Sequence, residues 1–389
     1  MKETKFKNTE IGKIPEEWKM YSIGKDCSVK ARIGWQGLTT SEYLQTGHYG
    51  LITSTDLIEG KVNWDTCVFV SEERYKQDTN IIVKNGDVLV SKDGTIGKVA
   101  VVSNLQYPTT LNSGVFVIRT KNEKITQEGL GLVFISPYFK DFIKRLTAGS
   151  TIVHLYQKDI VNFTFPIPTL PEQHRIASAL TSIDNLISSL GKLIEKKKNI
   201  KQGTMQQLLT GQIRLKGFSE PWGEKKLEEV CSVKRGVRVV KRNLTTDSLY
   251  PVYQNTNFPL GYSNQYNVEA NTPFVIIGGS AGQVGICRER YWAADDCAFF
   301  ACHDIYKEYL YYVLLLNQSN ILHNVRTGTI PRLDRTFLSG MLVYISSNIA
   351  EQQAIATILT KMDDEITALE AKKAKYEAIK QGMMEQLLT

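Results

Sequence analysis

The sequence predicts an α+β protein in which two tandem mixed α/β domains are separated by long antiparallel coiled-coil helices with pseudo-twofold symmetry. Three observations predict this class. The chain has 389 residues, more than the roughly 250 to 300 that one hydrophobic core supports. The same order of sequence landmarks occurs twice. Each copy also ends in a long segment whose apolar residues are spaced by three and four.

A tandem repeat runs through the chain. The segment IKQGTMQQLLT from Ile200 returns as IKQGMMEQLLT from Ile379, and the same shift of 179 residues (379 minus 200) carries Glu172 to Glu351. Closer to the N-terminus, GTIGKVAVV in the first copy resembles GSAGQVGIC in the second, and the shift between landmarks grows. The first copy therefore has longer insertions between landmarks that keep the same order.

Each copy begins with short β-rich segments and glycine-bearing turns. Runs such as NIIVKNGDVLVSKDG and PFVIIGGSAGQVGI are typical of strands joined by turns, and they predict a mixed, strand-containing domain. We place the first domain at residues 1–168 and the second at residues 212–347. Residues 169–211 and 348–389 are then the two helical regions.

Each helical region carries one apolar stripe. Pro168 and Pro171 precede the first helix, and a short polar segment ending at Asn348 precedes the second. A single apolar stripe must be buried, so we expect the two helices to pack against each other in antiparallel orientation. The residues predicted to form the two heptad seams are Ile176, Leu180, Ile183, Ile187, Leu190, Ile194, Ile355, Leu359, Met362, Ile366 and Leu369.

The composition argues against several classes of protein. Hydrophobic residues make up 42% of the chain, and no uninterrupted apolar stretch is long enough to cross a membrane. The polar N-terminal segment lacks the apolar core of a signal peptide, so we expect a cytoplasmic protein with no membrane partner. The formal net charge of +7 permits a polyanion-binding surface but does not require one.

Motifs for catalysis or metal binding fail on inspection. In SKDGTIGKV, Val99 follows Lys98 where a phosphate-binding loop needs serine or threonine, and FVIIGGSAGQVG lacks the spacing of a dinucleotide-binding turn. NFPL, from Asn257, lacks the second proline and the closing aromatic of the adenine-methyltransferase tetrapeptide. The six cysteines and five histidines show no metal-site spacing. We therefore expect no cofactor, no metal and no catalytic site.

Five segments of the chain resemble the specificity subunits of type I restriction-modification systems. They are TEIGKIPEEW, PTLPEQHRIASALTSID, QGTMQQLLTGQIRL, FSEPWGEKKLEEV and AEQQAIATIL, and together they span the whole chain. The resemblance implies that the mixed domains are target-recognition domains, each reading one half of a split double-stranded DNA sequence. It also implies that the helical regions dock two methyltransferase subunits, which methylate adenines, and that restriction subunits join through this complex. The chain itself would be a non-catalytic subunit.

Two other classes of function remain open at this point. A coiled-coil scaffold that binds only proteins would account for the helices, and a self-contained DNA-modifying enzyme would account for the basic charge. Salt-dependent binding of duplex DNA separates a DNA-reading subunit from the scaffold, because phosphate contacts weaken as salt rises. Cofactor binding by the purified chain alone would indicate the enzyme.

Loops at matching landmarks carry the side chains that DNA reading needs. Amide, hydroxyl and basic groups supply donors and acceptors for base edges, and basic groups also contact phosphates. Such residues are equally common on solvent-exposed loops that contact no DNA. We interpret the glycines beside them as turn formers, and Trp18 and Trp222 as residues that anchor the hydrophobic cores. The candidate DNA-contacting residues are Arg32, Ser54, Thr55, Lys92, Thr95, Lys98, Ser150, His154, Lys234, Arg235, Arg238, Gln254, Asn255, Ser280, Gln283, Arg326 and Arg332.

Overall fold

The structure is a computed structural model that describes residues 5–148, 154–240, 244–245 and 248–387. Contacts divide the chain into two compact units. The first unit comprises Met1–Ser189 and Ala374–Thr389, and the second comprises Leu190–Lys373. Each unit therefore contains one sheet-bearing domain and parts of both helical regions, so the helical regions are shared between the units.

The first unit consists mainly of short strands. In chain order they are β1 (Phe6–Thr9), β2 (Gly12–Pro15), β3 (Lys19–Ser22), β4 (Cys27–Lys30), β5 (Tyr49–Ile52), β6 (Leu57–Ile58), β7 (Lys61–Val62), β8 (Val68–Val70), β9 (Val88–Ser91), β10 (Val99–Val101), β11 (Thr109–Leu111), β12 (Val115–Thr120) and β13 (Thr164–Ile167). Its shorter helices are α1 (Ile23–Asp26), α2 (Glu72–Lys76), α3 (Gln127–Ile135), α4 (Pro137–Thr147) and α5 (Gln157–Ile160).

A four-stranded antiparallel sheet, in the order β10-β9-β12-β4, lies in the middle of the first unit. Alternate residues of its strands point to opposite faces, so each face has its own core. Leu89 and Val117 pack with Ile52 and Leu111 of a three-stranded sheet, β11-β5-β8, in which β11 and β5 are parallel. On the other face Val90, with its neighbours, packs against helices α3 and α4. The result is a layered domain, and β13 pairs with β3 at its end.

The second unit repeats this plan with fewer insertions. Its strands are β14 (Trp222–Lys226), β15 (Cys231–Arg235), β16 (Tyr250–Tyr253), β17 (Gly261–Ser263), β18 (Pro273–Ile276), β19 (Val284–Ile286), β20 (Trp292–Ala293), β21 (Cys297–Cys302) and β22 (Leu342–Ser346). Its shorter helices are α7 (Leu227–Val230), α8 (Lys307–Leu316), α9 (Gln318–His323) and α10 (Arg335–Gly340). The long helix that precedes these elements is α6 (Leu170–Leu209), and the one that follows them is α11 (Ile349–Leu387).

The sheet topology of the second unit matches that of the first strand by strand. The four-stranded antiparallel sheet is β19-β18-β21-β15, the three-stranded sheet is β20-β16-β17 with β20 and β16 parallel, and β14 pairs with β22. Phe274 packs toward the three-stranded sheet, whereas Val275 packs toward helix α8. The expected α+β class, with two tandem mixed domains and long helices, is confirmed.

The first turn of each long helix is hydrogen-bonded to the domain that precedes it in the chain. In α6, the Gln173 side-chain amide donates to the carbonyls of Pro168 and Lys124, both at 2.9 Å, and its carbonyl accepts from the Thr126 N–H at 2.8 Å. In α11, the Gln352 amide donates to Ser346 O at 2.8 Å and accepts from Tyr306 N–H at 2.8 Å. These buried amides fix the direction in which each helix leaves its domain.

Most of the predicted seam residues are buried. The first residues of each seam pack against the other long helix and also against a shorter helix of a domain. Ile176 and Leu180 pack with Leu132 of α3 and with Met383 and Met384 near the end of α11, all within the first unit. Ile355 and Leu359 belong to one cluster with Met205 and Leu208 of α6 and with residues of α8, all within the second unit. Ile183, Leu190, Ile194 and Ile366 are buried, and Ile187, Met362 and Leu369 are half-buried.

Ion pairs link α6 to α11 inside each unit. In the first unit the Lys380 ammonium lies 2.7 Å from the Asp184 carboxylate. In the second unit the equivalent pair, Lys201 with Asp363, is at 2.5 Å, and Lys197 pairs with Glu365 at 2.7 Å. Residue numbers in α11 fall as those in α6 rise, so the helix segments within each unit are antiparallel. Such pairs near the surface contribute about 0.2–1 kcal/mol each and chiefly fix the register.

No helix within the described residues is long and apolar enough to span a membrane.

Candidate nucleic-acid interface

A glycine-containing hairpin turn projects from the four-stranded sheet of each unit. In the first, between β9 and β10, Ser91 N–H donates to Lys98 O and Gly97 N–H donates to Ser91 O, both at 2.9 Å. In the second, between β18 and β19, Ile276 N–H donates to Gln283 O at 2.9 Å and Gly282 N–H donates to Ile276 O at 2.7 Å. The turn glycines Gly94, Gly97, Gly279 and Gly282 have φ of +69°, +78°, +84° and +87°. Glycine adopts this left-handed conformation without steric cost, as expected for turn formers.

Three further segments are bonded to the first hairpin or to its neighbouring strand. Lys92 N–H donates to Gly114 O at 2.9 Å, Leu155 N–H donates to Lys92 O at 2.8 Å, and Asn112 N–H donates to Ile52 O at 2.9 Å. Residues 53–56, 92–98, 112–114 and 154–156 therefore lie side by side. We call them the first loop cluster.

The same three bonds recur in the second unit. Ile277 N–H donates to Asp296 O at 2.8 Å, Leu333 N–H donates to Ile277 O at 3.0 Å, and Ala294 N–H donates to Tyr253 O at 2.8 Å. Residues 254–257, 277–283, 294–296 and 326–333 form the second loop cluster. The two clusters thus share one backbone framework, in which Lys92 corresponds to Ile277 and Leu155 to Leu333.

The first loop cluster presents hydroxyl and basic side chains. Thr55 is exposed and Ser54 half-buried, and the Thr55 hydroxyl is hydrogen-bonded to that of Thr53 at 2.7 Å. Thr95 is exposed at the hairpin tip, and its carbonyl accepts from the Ser91 hydroxyl at 2.6 Å. The structure therefore brings three of the predicted residues to one surface: Ser54, Thr55 and Thr95.

Each of the three basic residues of this cluster has a contact that restrains it. Lys92 is half-buried, with its ammonium 5.3 Å from the centre of the Phe116 ring. Lys98 is half-buried at the hairpin base, where its N–H donates to the Ser91 hydroxyl at 2.9 Å. The His154 Nδ1 forms an ion pair with Asp93, and its ring lies 4.5 Å from that of the exposed Tyr156.

Arg32, which the sequence analysis predicted as a DNA-contacting residue on an exposed loop, is buried, and that prediction is corrected here. Its side chain is only 1% exposed, and Nε donates to Leu111 O at 2.9 Å while Nη2 donates to the Thr110 hydroxyl at 3.1 Å. Nη1 donates to the Gln77 amide oxygen at 3.1 Å. Its donors thus satisfy buried acceptors of the domain, so Arg32 is a structural residue. Ser150, also in the predicted set, lies outside the described residues.

Hydrogen bonds from backbone N–H groups bring residues with amide and hydroxyl side chains together across two segments of the second loop cluster. Ser280 N–H donates to Asn255 O at 2.9 Å, and Asn257 N–H donates to the Gln283 amide oxygen at 3.3 Å. Asn255 is exposed, while Gln254, Ser280 and Gln283 are half-buried. These four predicted residues are therefore neighbours on one surface.

Two arginines lie on a short ribbon in the same cluster. Arg326 N–H donates to Arg332 O at 2.8 Å and Arg332 N–H donates back at 3.1 Å, so the two residues are paired. The Arg332 Nη1 lies 3.0 Å from an Asp296 oxygen, whereas Arg326 lies 3.7 Å from Asp334. Their side chains are 55% and 80% exposed. Arg332 is thus tethered, and Arg326 is free to follow a ligand.

The basic segment at the end of β15 borders the second loop cluster. Arg235 Nε donates to Asp295 O at 2.7 Å, which places its guanidinium beside residues 294–296. Gly236 approaches the backbone so closely that an added Cβ would lie 2.2 Å from Ala294 O, so only glycine fits there. Lys234 and Arg238 are exposed on either side of this contact.

Sequence reasoning did not select several groups that the structure places at these surfaces. Asp93 and Asp296 hold cationic side chains, and the aromatic rings of Tyr156 and Phe258 are exposed, Phe258 by 73%. An acidic residue close to a predicted basic contact is not conspicuous in sequence. Exposed aromatic residues in turns could have been noticed, because such rings stack on bases or contact methyl groups.

The cysteine thiols are not poised for chemistry. Burial raises the pKa of Cys27, Cys67, Cys231 and Cys302 to about 12, so these thiols stay protonated at neutral pH. Within the part of the chain that the structure describes, no group of three or more His, Cys, Asp or Glu residues could hold a metal ion. The described side chains of the loop clusters offer hydrogen-bonding and charged groups.

Curated relatives of this chain are specificity subunits of type I restriction enzymes. The chain is 28% identical over 218 residues to the type I restriction enzyme MjaVIII specificity subunit of Methanocaldococcus jannaschii, a match covering 55% of this chain and 50% of the relative. It is 24% identical over 212 residues to the EcoKI specificity subunit of Escherichia coli, covering 54% and 45%. The chain thus spans about half the length of the curated relatives it matches.

The fold is shared with a crystal structure of the type I restriction-modification S subunit from M. genitalium. The TM-score is 0.70 at 16% sequence identity, and the match covers 96% of each chain. The family model described as "Type I restriction modification DNA specificity domain" matches residues 15–202 and again residues 219–381. Because these two matches take in both repeats, the chain belongs to the type I restriction-modification DNA specificity family.

Proposed function

We propose that this chain is the DNA sequence-specificity subunit of a type I restriction-modification complex. In this proposal each loop cluster reads one half of a bipartite double-stranded site, and the chain carries no catalytic site. The observation that carries the proposal is the pair of loop clusters with one backbone framework and different side chains. A shared framework explains a shared task, and different side chains explain different targets.

The differences fall on the side chains that would face a ligand. At matched positions the first loop cluster has Lys98 and His154 where the second has Gln283 and Arg332. Side-chain donors and acceptors at such positions distinguish base pairs in the major groove. Each loop cluster also has one or more basic groups, beside the side chains at these matched positions, that can neutralise phosphates. Two unlike half-sites are therefore the expected target.

The long helices are proposed as the docking surface for two methyltransferase subunits, through which restriction subunits join. Leu186, Leu193 and Ile200 are exposed on α6 and follow one another at intervals of seven residues. A repeated apolar line on a helix is a surface that a protein partner can bury. Chromosomal DNA as the target makes the cytoplasm the proposed location.

The test is duplex binding by the full chain with its methyltransferase subunits. A pool of randomised duplexes should yield one bipartite sequence, and its affinity should fall about a thousand-fold between 50 and 200 mM salt if about six phosphates are contacted. Arg326→Glu should weaken binding. Arg290→Glu makes the same charge change on a pair with Glu269, at the far end of β19 from the hairpin, and should leave binding intact.

Two outcomes would contradict the proposal. Absence of salt-dependent duplex binding would leave a scaffold that binds only proteins. Binding of a methyl-donor cofactor by the chain alone, measured by calorimetry, would indicate a self-contained enzyme instead.

A further inference from the structure

One position of the shared framework is occupied by a basic side chain in both units. His154 forms an isolated antiparallel bridge with Asp93, and Arg332 forms the matching bridge with Gly278. Leu155 and Leu333, the next residues, donate the equivalent backbone bonds to the hairpins. The backbone therefore makes His154 and Arg332 counterparts.

Each counterpart is paired with a carboxylate, but the two carboxylates come from different segments. Asp93 belongs to the hairpin turn of the first loop cluster, and its hairpin counterpart in the second is Gly278. Asp296 belongs to the segment before β21, and its counterpart in the first cluster is Gly114. Aspartate and glycine have thus exchanged places between the two copies.

The space at this position is tighter in the second loop cluster. A Cβ added to Gly278 would lie 2.5 Å from an Asp296 oxygen, closer than real Cβ atoms approach. A Cβ added to Gly114 would make an ordinary 3.4 Å contact with an Asp93 oxygen. In the second loop cluster a carboxylate at position 278 would therefore conflict with Asp296. The feature that both clusters keep is a basic side chain held by one carboxylate, supplied by different segments.

The ion pair with Asp296 holds the Arg332 guanidinium in place and leaves some of its N–H donors available for a ligand. Its Nη1 is engaged by Asp296, the side chain is more than half exposed, and among the described residues no protein acceptor is bonded to its Nε or Nη2. Guanidinium donors lie in a rigid plane, and guanine offers two acceptors, O6 and N7, spaced for such a pair. A tethered arginine therefore suits guanine.

A phosphate suits this arginine less well. The Asp296 carboxylate beside it partly neutralises its charge and repels a phosphate at short range. Arg326, on the same ribbon, has greater exposure and only a 3.7 Å contact with Asp334, which fits a phosphate contact better. The two arginines thus differ in the way expected of a base contact and a backbone contact.

Building on the proposed function, we propose that Arg332 reads a guanine in the half-site of the second loop cluster, with Asp296 as its positioning residue. His154, held by Asp93, reads the matched position of the other half-site. Because Nδ1 is engaged by Asp93, His154 presents Nε2 to the base, so the two half-sites differ at this position.

The experiment uses the full chain with its methyltransferase subunits and the duplex selected from the randomised pool. Each guanine of the site is replaced in turn by 7-deazaguanine, which lacks N7. One guanine in the half-site of the second loop cluster should weaken wild-type binding about ten-fold when replaced. Arg332→Ala should bind the unmodified site about ten-fold more weakly and should be insensitive to that replacement. Arg332→Lys keeps the charge but not the planar fork, and should behave similarly.

Asp296→Asn tests the positioning role. It should keep the salt dependence of wild-type binding while its preference for guanine over the other bases at that one position falls about five-fold or more. Arg290→Ala is the matched control, since Arg290 forms a 3.0 Å pair with Glu269 away from the loop cluster. It should leave both affinity and preference unchanged. Thermal unfolding of each variant, compared with that of the wild type, shows that the second unit is folded.

Two results would overturn the inference. One is that no guanine exists whose 7-deaza replacement loses its effect in Arg332→Ala. The other is that Arg332→Ala weakens binding equally on all sequences and lowers the salt slope by about one, the behaviour of a phosphate contact. Either leaves the proposed function standing, whereas failure of the wild type to select any sequence overturns both.

Discussion

The indole N–H of Trp222 donates a hydrogen bond to the carboxylate of Glu351 at 3.0 Å, joining the first strand of the second domain to the start of helix α11. The carboxylate is fully buried, and it also accepts from Arg214 at 2.7 and 2.9 Å and from the Ser346 hydroxyl at 2.5 Å. In the first unit, Trp18 donates to the half-buried Glu172 at 3.2 Å. The same joint is thus built twice, more deeply in the second unit.

Glu351→Gln should destabilise the second unit by about 2–3 kcal/mol, because it removes the negative charge that compensates a partly buried arginine. Glu172→Gln is the matched control and should cost less than about 1 kcal/mol, since Glu172 is less buried. Calorimetry of the full chain measures both. Equal losses for the two variants would show that the Arg214 contact adds nothing.

The stability that Glu351 contributes should depend on pH. Burial alone would raise the pKa of Glu351, but hydrogen bonds from Arg214, Ser346 and Trp222 outweigh it and hold the pKa below its ordinary value. The contribution is therefore complete above the unfolded-state pKa of about 4.3 and is lost as pH falls through the folded value. The difference in unfolding free energy between wild type and Glu351→Gln should shrink below about pH 4. A constant difference from pH 7 to pH 3 would contradict this assignment.

Charge placed in the helix seams should act according to burial. Leu190 is buried, whereas Leu369 is half-buried. Leu190→Asp should cost about 3 kcal/mol or more and abolish assembly with methyltransferase subunits, because it buries an unpaired charge. Leu369→Asp should be milder. Sedimentation of the mixed subunits measures assembly, and normal assembly by Leu190→Asp would show that docking does not depend on the packed seam.

Exchange of one domain should change one half-site. The first loop cluster lies within residues 20–165, between β3 and β13, which pair with each other and close the domain. Replacing this segment with that of another family member should alter one half of the methylated sequence and leave the other unchanged. Mapping of methylated adenines gives the result, and a change in both halves would mean that the loop clusters do not read independently.

The repeat predicted the fold well because matching landmarks carry matching backbone bonds. The hairpins at Gly94 and Gly279 and the starts of both helices follow from local signals: turn glycines, prolines and polar caps. Arg32 shows what local signals miss. Its charge and its place in a loop predict an exposed side chain. Its hydrogen-bond acceptors at Thr110 and Leu111 are distant in sequence, and only the folded sheet brings them close to it.

The candidate site was predictable as a set of loops but not as a set of contacts. Matched landmarks selected residues such as Asn255, Ser280 and Arg332, and the structure places their segments together. The exchange of aspartate and glycine was invisible, because Asp93 and Asp296 occupy non-equivalent places in the alignment of the two copies. Their equivalence lies in the space they fill, which requires three-dimensional contacts.

That exchange predicts a double-mutant cycle in the second loop cluster. Asp296→Gly should remove the tether of Arg332 and reduce the preference for its base about ten-fold. Gly278→Asp alone should also be harmful, because its Cβ would lie 2.5 Å from the Asp296 oxygen and a second negative charge would enter the same space. The double variant moves the carboxylate to the arrangement of the first loop cluster, in which the hairpin residue Asp93 holds His154. Its base preference should recover to within about three-fold of wild type, a coupling of more than about 1 kcal/mol.

Binding to duplexes that vary only at that base gives the preference, and thermal unfolding confirms folding of all three variants. Purely additive losses would show that the carboxylate must come from the segment before β21, and that the resemblance between the two tethers has no functional content.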